Sequence, residues 1–187
     1  MELVKSLKQS KLLKYVFFAL IGSIILAVSS KIKIPFYPVP MTMQTLVVLM
    51  IGIGFGWKLG LATISLYLFE GIIGLPVFSG TPEKGLGIVY FVGPTMGYLL
   101  GFVFAAMLTG IFKFDKNIIL NFLKLILSVS VIYFLGIVWL GFLIGWDKPI
   151  IDLGVKPFLL AELFKITLLS LIVTLLNDKL SILKRWL

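Results

Sequence analysis

The sequence predicts an all-α polytopic membrane protein that crosses the bilayer six times and keeps its N- and C-termini in the cytoplasm. Three observations carry this prediction. Hydrophobic residues make up 60% of the 187-residue chain and charged residues 13%, whereas a soluble domain is about half apolar and roughly a quarter charged. Mean hydropathy is +1.13, and the apolar excess runs the whole length, which predicts a single integral membrane domain over residues 1–187. Of the 17 Lys and Arg residues, all but Lys124 and Lys165 flank the apolar runs and mark their ends.

Six segments approach the roughly 20 apolar residues that a bilayer core of about 30 Å requires. The first, Leu13–Ser29, follows the basic start MELVKSLKQSKLLK. That start resembles a signal n-region, but the apolar run spans and no small-residue cleavage site ends it, so it is expected to be a retained helix. The second, Met43–Gly56, is short and weakened by Gly52, Gly54 and Gly56; its brief link through Trp57 and Lys58 to Leu59–Phe78 predicts a tight hairpin. Ile88–Phe112, Ile118–Gly145 and Pro157–Leu176 complete the set.

With the N-terminus inside, ten basic residues are cytoplasmic, among them Lys5, Lys8, Lys58, Lys113, Lys184 and Arg185. Five are external: Lys31, Lys33, Lys84, Lys148 and Lys156. Lys124 and Lys165 fall within spans. The positive-inside rule therefore places both termini in the cytoplasm and the loops Lys31–Pro40, Leu75–Gly87 and Trp146–Lys156 outside. A net charge of +9 would suit nucleic acid, but lysines at span ends, without aromatics interleaved on a polar surface, signal orientation; no nucleic-acid partner is expected. The absence of Cys and His excludes disulfides, thiol catalysis and the usual soft metal sites.

The segment from Gly71 to Gly101, GIIGLPVFSGTPEKGLGIVYFVGPTMGYLLG, holds 8 of the 18 glycines and 3 of the 8 prolines. Irregular backbone at membrane depth is tolerated where protein buries it or it lines a cavity. A ligand site is the expectation there.

The last span contains Glu162 and Lys165. Each charge costs about 2.5–3.5 kcal/mol near a helix centre, while thirteen Leu, Ile, Phe and Val residues return about 4–8 kcal/mol together. Both charges facing lipid would cancel much of that. At i, i+3 they share a face and can pair, and Glu162 lies roughly 7–8 Å past Pro157. Either they form a self-neutralising helix lock or they line an outward-opening ligand site, the second being the default for intramembrane ionisable residues. Glu70, the other carboxylate within a span, would face the same cavity or pair with Lys124. Ala19, Ser23 and Ala27 form a small-residue stripe on the first helix, suited to packing within the chain or against a partner subunit. No GxxxxGK[ST] loop, His cluster or nucleophile elbow occurs, so neither ATP hydrolysis nor other catalysis is expected.

The runs IPFYPVPMTMQTL (34–46), GLPVFSG (74–80) and GPTMGYLLGF (93–102) resemble, in order and spacing, the BioY family, the biotin-specific S components of energy-coupling-factor (ECF) transporters. The resemblance covers nearly the whole chain. It implies a six-helix fold, an external pocket roofed by loops that holds biotin by its ureido ring and valerate carboxylate, and no cofactor. It also implies a transmembrane coupling subunit and two ATP-binding-cassette ATPases as partners in the cell membrane. The family's partner-facing small-residue motif falls at Ala19, Ser23 and Ala27. Its acidic residue followed three positions later by Lys falls at Glu162 and Lys165, with Glu standing for the usual Asp. Met96 stands where a glycine is usual.

On this reading Glu162 accepts hydrogen bonds from ring N–H groups, and Lys165 or Lys84 meets the carboxylate. Gln44, Thr95 and the turns at Gly80 and Gly93 complete the polar set. Phe78, Tyr90, Tyr98 and Trp139 pack the apolar ring and chain. The alternatives are an S component for another vitamin, or a membrane scaffold subunit in which the stripe is the function and the charged pair is structural.

Overall fold

The computed structural model describes residues 2–35 and 37–180, with side chains described from residue 11 onward. Lys5 and Lys8 as charged side chains, and Lys184 and Arg185 altogether, lie outside what is described. Helix α1 runs over Glu2–Lys31, α2 over Gln44–Ile72, α3 over Ile88–Phe91, α4 over Met96–Ile111, α5 over Ile118–Ile144, α6 over Ile150–Gly154 and α7 over Leu159–Leu175. A 3-10 turn, Lys156–Phe158, links α6 to α7. Among the described residues, four stretches are long and apolar enough to cross a membrane: Lys11–Lys31, Gln44–Ile72, Ile118–Ile144 and Ile150–Leu175. The apolar α4 is shorter.

The second and third expected segments form one helical element broken at Gly56, where φ is +74° and ψ 173°. Only glycine adopts that conformation without a Cβ penalty. The chain folds back there: a Cβ on Gly60 would stand 3.4 Å from the Gly52 Cα, although eight residues of straight helix span about 12 Å. The third segment was expected to reach Phe78 but stops at Ile72, because Gly74 lies at φ +96° and Pro76 follows it. The fourth, expected as one helix over Ile88–Phe112, divides into α3 and α4. Pro94 lacks an N–H and pushes Gly93 out of helical geometry. A two-residue antiparallel pair, β1 (Lys33–Ile34) and β2 (Met41–Thr42), adds strand structure that the all-α expectation lacked.

Neighbouring helices touch through glycines. Gly22 of α1 abuts Thr63, Gly52 abuts the Ala106 carbonyl and Thr109 of α4, and Gly101 of α4 abuts the Ile132 backbone of α5. Such close approach supplies the van der Waals packing that membrane helices use where lipid removes the hydrophobic drive. The result is the sequence α1, α2, α4, α5, α7, with α7 returning to the first turn of α2. A space remains between them.

Candidate ligand-binding site

That space is lined by β2, the first turn of α2, the loop after α2, α4, α5 and the first turns of α7. Its polar wall is built on Glu162 and Lys165, each 4% exposed. Lys165 Nζ lies 2.8 Å from Glu162 Oε2, and it also donates to the Thr42 carbonyl (3.2 Å) and to the Thr45 hydroxyl. Thr45 donates in turn to Glu162 Oε2 (3.1 Å), as does the Tyr133 hydroxyl (3.1 Å). Desolvating two charges costs several kcal/mol apiece, which mutual attraction offsets only with good geometry and further hydrogen bonds. Here every contact made to the carboxylate goes to Oε2.

Glu162 Oε1 is buried with no donor among the described residues. Leaving such an acceptor unsatisfied costs about 1–3 kcal/mol. The Ser79 hydroxyl, in the same lining, is likewise buried and without a partner. Two uncommitted polar atoms in a chamber lined by both apolar and polar side chains are what a ligand with polar ends would complete. The enclosed space is about 60 Å³, well below the roughly 300–1,000 Å³ of typical small-molecule sites, so a ligand of that size enters by displacing part of the wall.

The wall over Ser79 is tied from below. Ser30 of α1 and Tyr67 of α2 both donate to the Val77 carbonyl, at 2.7 and 3.0 Å. Lys31 donates to the carbonyls of Phe78 (2.9 Å) and Thr81 (3.3 Å). Tyr90 donates to the Ser79 carbonyl at 2.6 Å. The Phe78 ring, 1% exposed, stacks on Tyr90 at 4.8 Å and meets Tyr67 edge-on at 5.2 Å. Gly71 admits that ring; a Cβ there would sit 2.0 Å from it.

Of the residues expected at the site, Glu162, Lys165, Gln44, Thr95, Tyr90 and Tyr98 line the cavity. Gln44 is held by its own bond to the Tyr67 hydroxyl (2.7 Å), and Tyr98 by one to the Gly154 carbonyl (2.8 Å). Phe78 lies behind the lining, as does Trp139, whose indole N–H donates to the Gly93 carbonyl at 2.8 Å. Gly80, at φ +82°, turns the loop and carries the stem of Lys84 against it. Lys84 itself is exposed and outside the lining. Met96 opens α4 and does not line the cavity.

Two expected features find their contacts elsewhere in the chain. Glu70 neither lines the cavity nor pairs with Lys124. Its Oε1 accepts from Ser23 at 2.9 Å, while Lys124 donates to the Lys113 carbonyl (2.6 Å) and lies 3.9 Å from Asp115. The small-residue stripe takes the first of its two expected uses, packing within the chain: Ala19 is 7% exposed, Ser23 is fully buried, and Ala27 is partly buried against the core. The glycine at position 22 lets α2 cover that face.

The sequence reading missed Thr45, Tyr133 and Ser79. Tyr133 had a signal, a hydroxyl deep in an apolar span that must find a partner. Thr45 stands beside Gln44 in the same lining, and its partner Glu162 is too distant in sequence for a local pattern to reveal.

The chain is similar to known proteins over most of its length. The BioY family model matches residues 4–181. A probable biotin transporter BioY of Pyrococcus horikoshii is 34% identical over 139 residues, covering 74% of this chain and 81% of that protein. The biotin transporter BioY of Thermotoga maritima is 34% identical over 79% of this chain and 86% of its own length. A crystal structure of the S-component for biotin from an ECF-type ABC transporter superposes with a TM-score of 0.73 at 25% identity, covering 90% of this chain and 93% of that one. On the breadth of the family match and of these relatives, the chain belongs to the BioY family.

Proposed function

We propose that this protein captures biotin and carries it across the cell membrane as the substrate-binding S component of an ECF transporter. The observation that carries the assignment within the site is the unpartnered, buried Oε1 of Glu162. It is an anionic acceptor of the kind that ring N–H donors of a ureido group satisfy. Oε2, saturated by Lys165, Thr45 and Tyr133, keeps the carboxylate oriented and its charge balanced.

The Ser79 hydroxyl would meet the polar far end of the ligand, and Tyr90, Tyr98, Leu99, Phe102 and Phe158 would pack its apolar ring and chain. Gln44 and Thr95 complete the polar lining. Phe78, Trp139, Gly80 and Gly93 act as supports behind it. Lys84 reaches the ligand only if the loop it stands on moves inward. The break at Gly56 supports reading α2 as two crossings, for six spans in total, and the charge count favours cytoplasmic termini with the cavity opening outward. A chain with no phosphate-binding loop needs partner ATPases and a coupling subunit to power release.

Isothermal titration of the purified protein in detergent tests this reading. Saturable one-to-one binding of biotin, not displaced by other vitamins, is expected. Lack of saturable binding by a folded sample would overturn it.

A further inference from the structure

An apolar groove of about 740 Å³ runs along the outside of α7, between that helix and the strand pair. Its walls are Ile32, Ile34, Met41 and Met43 on one side and Leu160, Leu163, Phe164 and Leu168 on the other, with Lys33 of the strand pair in the same lining. From Leu160 to Leu168 the groove follows eight residues of helix, about 12 Å. That is close to half of a hydrocarbon core about 30 Å thick, the reach of one leaflet's acyl chain. The Lys33 side chain is exposed and makes no hydrogen bond or ion pair among the described residues, its backbone being paired with Thr42. Lys31, close enough to repel it, is committed to the Phe78 and Thr81 carbonyls. An apolar trough one leaflet long, with an uncommitted cation on its strand wall, matches a phospholipid: acyl chain along α7, phosphate at the Lys33 ammonium.

We propose that this groove is a binding site for an anionic phospholipid. Met41, Thr42 and Lys165 line both the groove and the ligand cavity. A lipid seated there therefore backs the cavity wall that carries the Lys165–Thr42 hydrogen bond. The inference rests on the chain's bilayer placement and is independent of which ligand the cavity holds.

Native mass spectrometry of the full chain, delipidated and re-equilibrated with phosphatidylglycerol or phosphatidylcholine, tests it. The wild type should retain phosphatidylglycerol about fivefold more tightly, the scale expected for one lysine near an anionic surface. Lys33→Gln should lose that preference, while Lys33→Arg keeps it. Thr167→Trp, which fills the groove from an exposed position on α7, should weaken retention of both lipids. Equal retention of the two lipids by the wild type, or an unchanged preference in Lys33→Gln, would overturn the proposal. Biotin titration of each variant separates the outcomes: lipid preference lost with biotin binding intact reports on the groove, and the reverse reports on the cavity.

Discussion

Replacing Glu162 by Gln probes the site with least change of shape. In the wild type, Oε2 accepts from Lys165, Thr45 and Tyr133, and Oε1 is left for the ligand. A glutamine has one oxygen. If that oxygen stays with the three donors, its NH2 points into the cavity and opposes the ligand's N–H groups donor to donor. If the amide flips, its NH2 faces the Lys165 ammonium. Either way one charge-assisted hydrogen bond is lost, about 1.5–3 kcal/mol, or roughly a 10- to 150-fold rise in the Kd for biotin. Titration calorimetry in detergent measures it, with thermal unfolding of the unliganded variant as the check on folding. A Kd within threefold of wild type, in a folded variant, would refute the role assigned to Oε1.

The ion pair gives a second test. Lys165→Met strands a buried carboxylate, and losing one partner of such a pair costs about 3–5 kcal/mol; the double variant Glu162→Gln/Lys165→Met should recover part of that in thermal unfolding, and a double variant less stable than Lys165→Met contradicts the pairing. Ser79→Ala separates stability from binding. Removing an unsatisfied buried hydroxyl should leave the unliganded protein as stable or slightly more so, while biotin binding weakens several-fold; unchanged affinity in calorimetry excludes Ser79 from ligand contact. Gly52→Ala places a Cβ 2.0 Å from the Thr109 hydroxyl and 2.4 Å from the Ala106 carbonyl. Overpacking of this kind costs about 1–3 kcal/mol, so its unfolding midpoint should fall, and an unchanged midpoint would show that α2 and α4 do not meet there.

Much of this protein was legible without coordinates, because the bilayer imposes its own grammar on a chain. Run length and hydropathy locate helices wherever backbone groups have no water to bond, and Pro94, Pro76 and the positive-φ glycines interrupt them for local reasons. The pairing of Glu162 with Lys165 was equally open to inference, since residues three apart share a face and two buried charges need each other. Tertiary structure decided what depends on rotation about a helix axis and on residues distant in sequence. The stripe Ala19–Ser23–Ala27 would suit any close neighbour, and only packing showed that α2 and Glu70 occupy its face. Thr45 and Tyr133 stand 117 and 29 residues from Glu162, too far for any local pattern to join them. Their hydroxyls saturate one oxygen of the carboxylate and leave the other uncommitted, an asymmetry that arises only when three helices converge.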